Sequence, residues 1–103
     1  LISGVPASLS AFSVEDTIYT SLKLEPPSKK RRQNLEPPCK VSADFFAYDA
    51  DNQQLFSRNL DEIYKGEEMF LRTTFTDYDI FNVAVDVKIG GEEKRLSCRV
   101  EKH

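Results

Sequence analysis

The sequence predicts a mainly β fold, namely a small β-sandwich or partly open barrel of five or six antiparallel strands with one short helix near residues 59–65. Apolar and polar residues alternate in several segments, turn residues separate these segments, and two adjacent glycines divide the most regular one. The alternative is an α+β fold with an N-terminal helix over residues 14–24.

The most regular segment is a hairpin around Gly90 and Gly91. Two glycines suit a tight turn, because such turns require positive φ angles. This turn predicts an apolar face that pairs Val85 with Leu96, Val83 with Cys98 and Phe81 with Val100. It also predicts a polar face that pairs Asp86 with Arg95 and Lys88 with Glu93.

The N-terminal segment, residues 1–24, gives mixed signals. Residues 1–13 are rich in Ser, Ala, Gly and Pro and look irregular, and Ser13 followed by acidic residues is typical of a helix start. However, residues 17–24 alternate and are rich in β-branched residues. We therefore predict a strand there, packed on the rest of the chain, and keep the helix from Val14 as the alternative.

Residues 25–38 form a proline-flanked basic loop in our prediction. The block Leu-Glu-Pro-Pro occurs on both sides of the run Lys29, Lys30, Arg31 and Arg32. Paired prolines favour a stiff, extended backbone, which would hold the basic run out in solvent.

Residues 39–103 are predicted to form a β-rich body. Alternation over residues 41–48 predicts a strand with Phe45 on one face and Phe46 and Tyr48 on the other. Residues 49–52 form a turn cluster, and residues 69–76 a further strand. Asn59 resembles a helix cap and Gly66 a helix stop, so we predict one or two helical turns between them.

Charge divides the chain unevenly. Residues 23–40 contain six basic and two acidic residues, whereas residues 41–103 contain eight basic and thirteen acidic ones. An acidic body repels phosphate, so nucleic-acid binding would have to use the basic loop. A nucleic-acid-binding module that uses residues 29–32 is therefore our alternative for function.

The basic run resembles a single-cluster nuclear localisation signal, whose extended backbone is read by an import receptor. This resemblance implies a nuclear protein. Leu22-Lys23-Leu24-Glu25 resembles the short pattern that the SUMO-conjugating enzyme recognises in extended chain, which implies Lys23 as an acceptor. A plain outward-facing lysine explains the same residues.

Signatures of catalysis and membrane insertion are missing from the sequence. It has one histidine, His103, and it contains no phosphate-binding glycine loop, nucleophile elbow or zinc-ligand pair. We therefore predict no enzyme activity, cofactor or metal. No apolar run approaches the ~20 residues of a membrane span. Since the chain starts with Leu1 rather than Met, we expect a fragment of a longer protein.

The aromatic residues point to a partner. The body has more aromatic side chains than its core must hide, so some should lie under another segment, a second copy of the chain or another protein. We expect a non-enzymatic scaffold or adaptor domain of a nuclear regulatory protein in transcription or chromatin regulation, with Phe46 and Tyr48 as partner contacts. A homodimer is a further expectation.

Overall fold

The computed structural model describes residues 2–27 and 38–102, which form two four-stranded sheets. The run Lys29 to Arg32 lies outside the described residues. No helix occurs in the described ranges, and hence none that is long and apolar enough to span a membrane. The strands are β1 (Ala7–Val14), β2 (Thr17–Leu24), β3 (Cys39–Tyr48), β4 (Gln54–Tyr64), β5 (Met69–Thr76), β6 (Asn82–Ile89), β7 (Glu92–Arg99) and β8 (Glu101–Lys102).

The first sheet has the order β5-β2-β1-β8. Strands β1 and β2 form a hairpin in which Val14 pairs with Thr17, and Glu15 in the turn has a φ of 56°. Strand β2 is also antiparallel to β5, whereas the two-residue β8 runs parallel to β1. Alternation therefore directs Ile18, Leu22 and Leu24 inward from β2, where each is at most 2% exposed.

The second sheet has the order β4-β3-β6-β7, with every pair antiparallel. Val41, Ala43, Phe45 and Ala47 of β3, and Val83, Val85 and Val87 of β6, face the first sheet and are fully buried. A bulge at the Ala47–Tyr48 step shifts the β3–β4 register. The core consists mainly of these side chains and their counterparts from β2 and β5.

The predicted central hairpin is confirmed. Strands β6 and β7 pair Val85 with Leu96, Val83 with Cys98, Asp86 with Arg95 and Lys88 with Glu93. Gly90 and Gly91 have φ angles of 59° and 80°, as a turn with two positive φ angles requires. The predicted apolar face of the hairpin ends with the Val83–Cys98 pair and does not include Phe81, because β6 begins at Asn82. Phe81 is 37% exposed, and Ile80 is buried instead.

The mainly β class is confirmed, but the short helix at residues 59–65 is wrong. Residues 59–64 instead belong to β4, which pairs with β3 as far as Tyr64. The side-chain amide of Asn59 donates hydrogen bonds to Ser42 and Asp44 across the sheet instead of capping a helix. One or two helical turns are marginal on their own, so pairing along the whole of β3 overrides the local signals.

The N-terminal segment contains two strands rather than one. The segment 17–24 forms β2 as predicted, whereas the alternative helix over residues 14–24 is absent and β1 occupies residues 7–14, most of them in the segment 1–13 that was expected to be irregular. Unpredicted β1 and the short β8 bring the number of described strands to eight, above the expected five or six. Residues 7–14 are mostly small and alternate only weakly, but they can still form a strand because β2 supplies a template for pairing.

Candidate functional site

The outer face of the second sheet carries both predicted contact residues. Phe45 points into the core and is fully buried, whereas Phe46 and Tyr48 project from the opposite face of β3 and are half-buried. Their rings lie 6.4 Å apart between centroids. The structure therefore brings these two residues together on a surface that the first sheet does not cover.

The β6–β7 hairpin places small residues beside these rings. Ala84 lies opposite Phe46 on one side and Ser97 on the other, while Asn82 lies between Tyr48 and Arg99 in the next row. Because Ala84 and Ser97 are short and their neighbours are long, the surface is hollow at this point. The result is a groove of about 440 Å³, whose lining includes Tyr48, Asn82, Ala84, Arg95, Ser97 and Arg99.

Arg95 is held in place at one side of the groove. Its Nε and Nη2 atoms donate to the two carboxylate oxygens of Asp86 at 2.7 and 3.0 Å. The guanidinium also lies over the Phe46 ring, 5.3 Å from its centroid. The Arg95 hydrogen bond lowers the pKa of Asp86, whereas the pKa of Arg95 itself is raised, first by the same bond. This arginine is thus a fixed cation.

Arg99 lies at the other end of the groove and stacks on the Phe81 ring at 4.9 Å. Within residues 2–27 and 38–102, no carboxylate lies within ion-pair distance of its guanidinium. The groove lining includes no acidic side chain. Because Asp86 balances Arg95, Arg99 is the cation that makes this surface locally basic, on a body whose sequence is acidic overall.

The structure separates Lys23 from this groove. Lys23 lies on β2 in the other sheet, and its ammonium pairs with Glu25 at 3.4 Å and Glu68 at 3.9 Å. Leu22 and Leu24 on either side are fully buried. Modification of Lys23 remains a prediction, to which the fold adds a condition: the enzyme would need β2 to leave its sheet before it could contact Leu22.

The role of the arginines is not evident from the sequence. Alternation pairs Asp86 with Arg95 across the hairpin, but it does not connect Arg95 on β7 with Phe46 on β3. Those two residues meet only because β3 and β7 both flank β6. The strand order was not evident from the sequence, whereas the alternation that placed Phe46 and Tyr48 outward was.

The described part of the chain shows no arrangement typical of a metal site or a reactive thiol. Among residues 2–27 and 38–102 no group of three His, Cys, Asp or Glu side chains is placed to hold a metal ion. Both Cys39 and Cys98 are free thiols, and burial raises the pKa of each. A raised pKa lowers the fraction of nucleophilic thiolate at neutral pH.

Comparisons with known proteins find a similar fold but no family. No protein-family model and no curated protein matches the chain. The penta-heme cytochrome c552 from Thermochromatium tepidum is a similar solved structure, with a TM-score of 0.58 and 10% identity over 84% of this chain and 31% of that one. The chain therefore corresponds to less than a third of the cytochrome's length.

A second similar structure is the sensor domain of the anti-sigma factor RsgI4 from Pseudobacteroides cellulosolvens. It has a TM-score of 0.56 and 11% identity, and the match covers 98% of both chains. At such low identity, both comparisons establish a shared β fold and nothing about activity.

Proposed function

We propose that this chain is a non-enzymatic interaction domain that binds an acidic protein segment in the groove on its second sheet. The observation that carries the proposal is the pair of arginines at this groove, each stacked on an aromatic ring, with no carboxylate in the groove lining. Aromatic residues and arginines are enriched where proteins bind one another.

The two arginines would have different roles. The contacts of Arg95 with Asp86 and Phe46 fix its position, and Asp86 balances much of its charge, so Arg95 would form a rigid wall of the groove that needs no further ordering. Arg99 keeps its guanidinium donors available for a carboxylate, which it would bind in a two-pronged arrangement. Its stacking on Phe81 would reduce the conformational entropy lost on binding.

The remaining groove residues fit a peptide rather than a bare anion. Tyr48 and Asn82 bring a hydroxyl and an amide that can bond to a peptide backbone, and Ser97 brings a second hydroxyl. The hollow at Ala84 leaves room for one apolar or aromatic side chain of the partner. A segment with acidic residues around an apolar one would use all these features.

The regulatory part of the proposal comes from the basic run. We propose that residues 29–32 serve nuclear import and that the domain acts as a scaffold or adaptor in transcription or chromatin regulation. In cells, a tagged chain with Lys29, Lys30, Arg31 and Arg32 replaced by Ala should leave the nucleus yet keep its partner. An unchanged distribution would contradict the import role.

A phage-displayed library of random 12-residue peptides tests the groove. Peptides selected on the wild-type domain should be enriched in Asp and Glu, and their affinity should fall at least about tenfold for Arg99→Glu. The matched control is Arg72→Glu, because Arg72 is also exposed and stacks on an aromatic ring, Phe70 at 4.5 Å, but on the other sheet. The Arg72→Glu variant should bind the selected peptides with the same affinity as the wild type.

Two results would contradict peptide binding in the groove. One is selected peptides without acidic enrichment, and the other is equal loss of affinity in the two variants. The alternative function, nucleic-acid binding through residues 29–32, predicts binding of single-stranded oligonucleotides that weakens steeply with salt and disappears when the four basic residues become Ala. Such binding, combined with failure to select peptides, would favour that alternative.

A further inference from the structure

Four strands form the edges of the two described sheets, and three of these edges are protected against pairing with a further strand. Strand β8 has only two residues, and β7 carries five charged residues among its eight. The edge of β5 is covered by Arg58, whose Nη1 donates to Thr73 Oγ1 and to the Thr74 carbonyl, both at 2.9 Å. The remaining edge is β4.

Strand β4 is long and offers apolar side chains. It has 11 residues, none of them Lys or Pro, and none of the other described strands pairs with its outer side. Ile63 is 52% exposed and Phe56 39% exposed. Long edges with unpaired backbone groups are templates for another strand, and monomeric proteins usually blunt them.

The charges on β4 are arranged so that it complements itself. If two copies of β4 run antiparallel with Leu60 opposite Leu60, Arg58 of each copy lies opposite Glu62 of the other. The same register places Phe56 opposite Tyr64 and Asn59 opposite Asp61. Opposite residues share a face in such a pair, so both Arg58–Glu62 pairs lie within contact distance.

Shifting the central residue by one position in either direction keeps the same side-chain faces together, but it pairs the charged residues less favourably. Moving the centre to Asp61 would place two aspartates opposite each other, and moving it to Asn59 would place Arg58 opposite Leu60 and Phe56 opposite Glu62. Like charges directly opposite each other destabilise a sheet. Charge therefore selects the register centred on Leu60.

We propose that the β4 edge binds the β4 edge of a second copy of this chain, joining two four-stranded sheets into one continuous sheet centred on Leu60. Arg58 can take part while keeping its hydrogen bonds to β5, because those use Nη1 alone and leave Nε and Nη2 for Glu62. Glu62 forms no ion pair within the described residues. Neither residue lines the groove, so this dimer does not depend on the proposed function.

Charge reversal tests the register. Sedimentation equilibrium should show a dimer for the wild-type chain, and Glu62→Arg should weaken it at least about tenfold because arginine then faces arginine. Arg58→Glu should weaken it similarly, and the double variant Arg58→Glu/Glu62→Arg should restore most of the affinity. Glu93→Arg on the β7 edge is the matched control and should have no effect.

Two further measurements keep the test independent of folding defects. Far-UV circular dichroism and urea unfolding should show that Glu62→Arg is folded, since its side chain has no ion pair to lose. In a background of Cys39→Ser and Cys98→Ser, Leu60→Cys should form a disulfide-linked dimer under mild oxidation, whereas Ile63→Cys, which faces Ser57, should not. A monomeric wild-type chain, no recovery in the double variant, or equal cross-linking at both positions would overturn the proposal.

Discussion

The hydroxyl of Tyr64 donates a 2.7 Å hydrogen bond to the main-chain carbonyl of Glu25, 39 residues earlier in the chain. Tyr64 is the last residue of β4 in the second sheet, and Glu25 directly follows β2 in the first. The tyrosine ring is fully buried. A single side chain therefore links the two sheets at this end of the sandwich through both packing and a hydrogen bond.

Replacing Tyr64 with Phe should remove the hydrogen bond and keep the packing. Because the partly buried carbonyl of Glu25 then lacks this donor, the free energy of unfolding should fall by about 1 kcal/mol in urea denaturation. Tyr78→Phe is the control, since Tyr78 is 77% exposed. Equal unfolding midpoints for Tyr64→Phe and the wild type would show that the bond contributes no net stability.

A second prediction concerns the contribution of the turn at Gly90 and Gly91 to the free energy of unfolding. A Cβ added at Gly91 would meet no atom within 4 Å, but the φ of 80° there is unfavourable for any side chain. Gly91→Ala should thus lower the free energy of unfolding by about 1 kcal/mol for conformational reasons alone. Gly90→Asn should cost less, because Asn is common in such turns. Equal costs would contradict this explanation.

These two features differ in how far the sequence could predict them. The diglycine turn and the pairs beside it follow from local chemistry, because alternation and positive φ angles are encoded in adjacent residues. The contact of Tyr64 with Glu25 depends on how the two sheets stack, which no short pattern encodes. The same limit applies to Asn59, whose local sequence resembles a helix cap although its hydrogen-bond partners Ser42 and Asp44 lie on another strand.

The candidate groove likewise combines features that the sequence predicts with features that depend on the order of the strands. Alternation on β3 was enough to place Phe46 and Tyr48 on the outside of the sheet. Arg95 and Arg99 join them only through the order of β3, β6 and β7, and the hollow depends on Ala84 and Ser97 lying side by side. Residues of that size rarely attract notice in a sequence, although a small residue between large neighbours is what makes a groove.

The adjacent residues Phe45 and Phe46 should separate stability from binding. Phe45 is fully buried, so Phe45→Ala should cost about 3–5 kcal/mol of unfolding free energy. Phe46→Ala loses the half-buried ring contacts with Arg95 and Tyr48, so it should cost roughly 1 kcal/mol, yet weaken binding of the selected peptides. Comparable losses of stability in the two variants would place Phe46 in the core instead.

The Asp86–Arg95 pair predicts a pH dependence. Because the pKa of Asp86 is lowered in the folded state, the pair stabilises the protein above the ordinary Asp pKa of about 3.9. That contribution is lost as pH falls through the lower, folded-state pKa. Asp86→Asn should therefore unfold at a lower urea concentration than the wild type at pH 7, and the difference should shrink below about pH 4. A difference independent of pH would contradict this role.

Conjugation at Lys23 should require local unfolding. Strand β2 is already extended, but it is paired on both sides, and Leu22 is fully buried, so the recognition pattern is not exposed. Purified SUMO-conjugating enzyme should modify a peptide of residues 20–27 much faster than the folded domain. Phe75→Ala, which removes a buried side chain from the neighbouring β5, should raise the rate on the domain because β2 then opens more often.

Modification of the wild-type domain as fast as the peptide would show that the enzyme can reach Lys23 without opening the sheet. No modification of either substrate would mean that the four-residue pattern is not a signal.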